Sequence, residues 1–158
     1  GQLSRLLRHL VYQTNTRFVP LEEELSFIRS YLELQRLQLS REAILDYSEE
    51  GQAPAGARIA PMILLLFVEN CFKHYNSRSQ GPKEIRIRFA MGKGRLNAVI
   101  ANTFKPHARN EGTQEPPGQG IGLAAAIEHL ALVYGEDYEL SVSNEPPYYM
   151  VKLEIPIL

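Results

Sequence analysis

APMILLLFVENCFKH, residues 60–74, has at its second position a proline, Pro61, suited to a first helical position and then runs through seven apolar residues, Met62 to Val68, before Glu69 and Asn70. A segment that is apolar all round for nearly two turns predicts a central, buried helix, here Met62 to about Tyr75. Its polar end carries Glu69, Asn70, Lys73 and His74. It is also the longest apolar stretch, far short of the roughly 18 residues a membrane-crossing helix needs.

Upstream, Leu21, Leu25, Ile28, Leu32 and Leu39 recur at helical spacing after Pro20, with Glu22, Glu23 and Glu24 suiting the positive end of the helix dipole. Residues 42–48 read as a strand and 51–57 as a loop of small residues. At the start of the chain, Leu3, Leu6, Leu7, Leu10 and Val11 look like the tail of an amphipathic helix. A start at Gly1-Gln2 in mid-pattern, without Met, is what a piece of a longer protein would show.

Downstream the period changes to two. Ile85, Ile87, Phe89 and Met91 alternate with Glu84, Arg86, Arg88 and Ala90, which predicts a strand with one buried face. Gly92-Lys93-Gly94 forms a hairpin connection to a strand from Arg95 to Ala101. After Asn102 comes a loop of about fifteen residues, a length more typical of a lid or binding loop than of a connector. Gly118-Gln119-Gly120-Ile121-Gly122-Leu123 then leads into an Ala-rich helix ending near Gly135, followed by strands over 138–143 and 149–157. The order of elements predicts an α+β fold, a two-layer sandwich of a mixed, mostly antiparallel sheet with helices on one face.

The chain has 158 residues, 44% hydrophobic and 22% charged, an ordinary composition for one soluble domain. Seventeen Lys and Arg against eighteen Asp and Glu give a net charge of -1, so nothing supports non-specific binding to nucleic acid. Cys71 is the single cysteine, and the histidines are scattered over unrelated elements, which leaves a zinc site without a ligand set.

Three places carry chemistry. Asn70, Lys73 and His74 share one side of a helix, and a carboxamide, an ammonium and an imidazole together suit a magnesium-bound phosphate. The alternative is a helix running from core to surface with Asn70 as an interior hydrogen-bonding residue. Gly118, Gly120 and Gly122 at a helix start match an anion, or form a hinge. Their spacing is neither the dinucleotide fingerprint nor the P-loop. Asn102 at a strand end reads a base edge or simply forms a turn.

VPLEEELSFIRSYLELQRLQ, then APMILLLFVENCFKH, then GQGIGLAAAIEHLALVYG, in this order, closely resembles the LytS-type sensor histidine kinases, whose ATP-binding domain has the Bergerat fold of the gyrase-type ATPases. The likeness implies that residues 1–18 end an upstream dimerisation and phosphoacceptor region and that 19–158 form the ATP-binding domain. It implies an N box with Asn70 on Mg2+, Glu69 polarising or orienting it, and Lys73 and His74 near phosphates. Gly118, Gly120, Ile121, Gly122 and Leu123 would be the glycine-rich box under the triphosphate, the loop before them the ATP lid, and Asn102 the base contact. The implied cofactors are ATP and Mg2+. The implied partners are a second copy, through the upstream helices, and a response regulator of LytTR type. The implied setting is a cytoplasmic domain, without membrane contact of its own, of a bacterial protein anchored in the inner membrane.

The chain also departs from this pattern. Asn102-Thr103-Phe104-Lys105-Pro106 stands where the family commonly has Asp-x-Gly-x-Gly, and Ala124, Ala125, Ala126 and Ile127 stand where it often has polar residues. The helix ending near Gln38-Leu39 lacks the usual Arg-Phe pair. The His-Phe-Leu-Phe-Asn phosphoacceptor segment is not in the chain, and His9 is not the acceptor. Two functions follow: a kinase domain that binds Mg-ATP and passes its γ-phosphate to a histidine elsewhere, or a degenerate module that works by dimerising or docking a partner.

Overall fold

The computed structural model describes residues 18–76, 83–103, 121–145 and 147–158. The first 17 residues, and with them nearly all of the expected upstream helix region, lie outside the described residues, as do 104–120, the expected lid with Gly118 and Gly120. Among the described residues, β1 (Val19–Pro20) leads into α1 (Leu21–Gln38), β2 (Ala43–Gly51), β3 (Arg58–Ile59) and α2 (Ile63–Asn76). Then come β4 (Lys83–Gly92), β5 (Arg95–Thr103), α3 (Ile121–Tyr134), β6 (Glu139–Glu145) and β7 (Tyr148–Pro156).

Five strands form one sheet in the order β2-β4-β5-β7-β6. β2 pairs with β4 in parallel and the other three pairs are antiparallel, which fits the expected mixed, mostly antiparallel sheet. The parallel pair needs a crossover between its strands, and α2 supplies it. Ile85, Ile87 and Phe89 of β4, Leu96, Ala98 and Ile100 of β5, and Val151, Leu153 and Ile155 of β7 are buried on one face, where the helices pack. The opposite face is charged: Arg86 pairs with Glu84 and Asp46, and Arg88 with Glu50.

α2 is central, as its composition predicts. Ile63, Leu64, Leu65, Phe67 and Val68 are all buried. The helix begins at Ile63, three residues inside the quoted stretch, because Met62 takes a left-handed backbone with φ 64°. Such a conformation is costly for a side chain with a Cβ and persists only where its surroundings enforce it. Here the Met62 N–H donates to Glu24 Oε2 at 3.1 Å, the Ala60 N–H to the Tyr134 hydroxyl at 2.8 Å, and His129 Nε2 lies 3.2 Å from the Pro61 carbonyl. Side chains from α1 and α3 thus hold the entry of the helix that carries Asn70.

α1 buries Leu21, Leu25, Ile28 and Leu32, and Arg29 ties its exposed side to β2 through two contacts of 2.7 Å to Glu49. At the end of β2, Gly51 has φ 75°, and a methyl there would lie 2.0 Å from the Met91 carbonyl oxygen. The loop expected over 51–57 begins one residue later, because Gly51 still belongs to β2, and β3 follows it at once and pairs with β1, a two-residue ladder too short to show periodicity.

Candidate functional site

At the polar end of α2, Glu69 and Asn70 are both buried, whereas Lys73 is exposed. His74 lies in the same helix. The helix is pinned to the sheet beside them, where Cys71 Sγ donates to the Ala101 carbonyl at 3.7 Å. Burial pushes the Cys71 thiol well above its usual range, so it sits there as a neutral packing group.

Asn102 is the next-to-last residue of β5 and is fully buried. Its Nδ2 donates to the Thr103 carbonyl at 3.3 Å, which fixes the carboxamide's orientation, while its Oδ1 has no hydrogen-bond partner among the described residues. A buried acceptor left open this way is costly unless something else fills it. Thr103 is itself anchored, since the Glu84 N–H donates to its Oγ1 at 2.9 Å.

Tyr149 links the two asparagines. It stands opposite Asn102 across the β5–β7 ladder, and its hydroxyl accepts a hydrogen bond from Asn70 Nδ2 at 3.3 Å. On its other side it faces Asn144 of β6. Its phenol is 2% exposed and held above its usual pKa, first by burial, with the Asn70 hydrogen bond acting in the opposite sense. Reading the sequence places Tyr149 at the start of a strand and gives it no role. Its phase with Val151, Leu153 and Ile155 was the available sign that it points inward.

Ile121, Gly122 and Leu123 begin α3, which packs against α2, and Leu123 is buried. Ala124 and Ala125 are exposed on the same first turns. Among the described residues no cluster of three or more His, Cys, Asp or Glu is placed to hold a metal.

A sequence model of the family described as Histidine kinase matches residues 1–43. An uncharacterized sensor-like histidine kinase of Staphylococcus epidermidis is 32% identical over 99 residues, which is 63% of this chain and 19% of that protein. The sensor protein kinase HptS of Staphylococcus aureus is 29% identical over 101 residues, 64% of this chain and 19% of its own length. The chain thus matches about a fifth of the length of either relative. Among solved structures, the catalytic domain of the histidine kinase ThkA superposes with a TM-score of 0.58 at 13% identity, covering 88% of this chain and 93% of that one. The mycobacterial sensor histidine kinase MprB gives 0.55 at 17% identity, covering 89% and 96%. At these identities the structural matches speak for the fold alone.

Proposed function

Because this chain is similar to sensor histidine kinases and has the fold of a histidine kinase catalytic domain, we propose that it is the ATP-binding domain of a two-component sensor kinase of the LytS type. The observation that carries this reading is the meeting of Asn70 and Asn102 at Tyr149, with a fully buried carboxamide oxygen of Asn102 left open. That oxygen suits the exocyclic amine of adenine, and Asn70 Oδ1 suits a hard divalent cation because its Nδ2 is already committed to Tyr149. Bound there, Mg-ATP would supply the phosphoryl group and the positive charge that neutralises it.

The chain's own part is positioning. Asn102 orients the base, and Asn70 holds the cation with Glu69 beside it. Lys73 and His74 are assigned to the phosphates, together with the glycine-rich segment of Gly118, Gly120, Ile121, Gly122 and Leu123. On the resemblance, residues 19–158 are assigned to this domain and residues 1–18 to the end of the upstream region through which two copies would pair. The acceptor histidine lies outside the chain.

A response regulator, of LytTR type on the resemblance, is the partner that receives the phosphoryl group. Support for such a partner comes from the likeness to ThkA solved in complex with the response regulator TrrA, at a TM-score of 0.56 and 14% identity. On the resemblance to the LytS-type kinases, we further propose a cytoplasmic domain of a bacterial protein anchored in the inner membrane. No helix among the described residues is long and apolar enough to cross a membrane.

The degenerate-module reading rests on one replacement and one exposed surface: neutral Asn102, and Ala124 and Ala125 open to solvent on α3. Calorimetric titration with a non-hydrolysable ATP analogue, with and without magnesium, separates the two. Magnesium-dependent binding that Asn70→Ala abolishes supports the kinase domain. Absence of binding up to millimolar nucleotide supports the degenerate module.

A further inference from the structure

Asn70 has a carboxamide with two chemically opposite ends, and a cation site needs the oxygen end presented. A helix side chain free to rotate would present either end. In the structure the nitrogen end is taken up by the Tyr149 hydroxyl at 3.3 Å, in a place where both side chains are buried. The partner that holds it comes from β7, an element of the sheet remote in sequence and in register with Asn102. Tyr149 therefore touches the residue assigned to the cation on one side and stands next to the residue assigned to the base on the other.

We propose that Tyr149 is a positioning residue, resting on the reading of the site as one for Mg-ATP, that orients the Asn70 carboxamide so that its oxygen faces the cation. Phenylalanine keeps the ring that fills this part of the core and removes the hydroxyl that accepts from Asn70 Nδ2, so Tyr149→Phe takes this hydrogen bond away. Losing one such bond between neutral groups corresponds to about a two- to tenfold change in an equilibrium.

The test is a cycle of wild type, Tyr149→Phe, Asn70→Asp and the double variant, each titrated with adenylyl-imidodiphosphate in the presence and in the absence of magnesium. In the wild type magnesium tightens binding. In Tyr149→Phe that gain shrinks about two- to tenfold while magnesium-free affinity stays within about twofold. Asn70→Asp presents an oxygen whichever way its carboxylate turns, so adding Tyr149→Phe to it leaves the gain unchanged if the tyrosine acts by orienting the carboxamide. A purely structural role would instead lower affinity equally with and without magnesium.

If Tyr149→Phe retains the full magnesium gain, or shrinks it equally in the Asn70→Asp background, the positioning role is overturned while the ATP-site reading stands. A wild type without magnesium-dependent binding overturns both. Should Tyr149→Phe fail to fold, the wild-type side-chain amide protons of Asn70 decide the matter by NMR. They keep their nuclear Overhauser contacts to the Tyr149 ring hydrogens in the complex with nucleotide and magnesium if the tyrosine holds the nitrogen end, and lose them if the carboxamide turns.

Discussion

Glu24 of α1 and Met62 at the entrance to α2 are joined by a hydrogen bond of 3.1 Å from the Met62 N–H to Glu24 Oε2, buried in the core and spanning 38 residues of sequence. The bond lets a carboxylate serve the open amides of a helix whose first residue is preceded by a left-handed methionine.

The cost is a charge in the interior. Burial raises the Glu24 carboxyl from 4.5 to about 7, against the opposing pull of the Met62, Leu65 and Leu64 amides. The folded protein therefore keeps a proton that the unfolded chain releases between pH 4.5 and 7, and the stabilisation from Glu24 is full below pH 4.5 and lost as pH rises through 7. The loss amounts to roughly 3 kcal/mol at about 1.4 kcal/mol per pH unit. Urea unfolding of Glu24→Gln, which keeps the acceptor and removes the charge, is expected to show little of this slope between pH 5 and 8. An unchanged slope in the variant would place the titration elsewhere.

Gly51 and Gly94 both have positive φ, 75° and 72°, but only Gly51 has a neighbour, the Met91 carbonyl, where a Cβ would go. Gly94→Ala is expected to cost about 1 kcal/mol for the backbone alone. Gly51→Ala should cost at least about 2 kcal/mol more in urea unfolding, since β2 and β4 must separate to admit the methyl. Equal costs would mean that the strand ends part freely.

For Asn102 the expected effects oppose each other. Asn102→Asp puts a charged acceptor where the open Oδ1 lies and removes the donor that now meets the Thr103 carbonyl. Affinity for an ATP analogue should rise about fivefold or more, because charge-assisted hydrogen bonds are stronger. Thermal stability in the absence of nucleotide should fall, because the new charge is buried beside a carbonyl. Selectivity for ATP over GTP should stay on the side of ATP in both proteins, since the anchored carboxamide offers an acceptor and guanine offers its own carbonyl at that position. Titration in which Asp leaves affinity unchanged would remove residue 102 from the base site.

Much of this was legible in the sequence where one residue's environment repeats down an element. Ile85, Ile87 and Phe89 alternate with charges and lie on the buried face, and the run from Ile63 to Val68 lies inside the molecule. Pairing between distant segments leaves no such trace. The parallel register of Ala43–Gly51 with Lys83–Met91 depends on α2 crossing between them, and the Val19–Ile59 pair has no periodicity to detect. Glu24 was grouped with Glu22 and Glu23 as an acid for the helix dipole. Its phase with Leu21, Leu25 and Ile28 turns it inward, to a different helix's start. Tyr149 was missed for a related reason, because its partner Asn70 is 79 residues away.

The central claim is that Asn70 and Asn102, brought together at Tyr149, serve one ligand. The most direct measurement follows the side-chain amide signals of both asparagines by NMR while adenylyl-imidodiphosphate and magnesium are added to the 158-residue chain. Both sets of signals are expected to shift along a single saturation curve, with the Asn70 shift dependent on magnesium and the Asn102 shift present with nucleotide alone. Saturating nucleotide that leaves either asparagine unmoved would contradict a shared site.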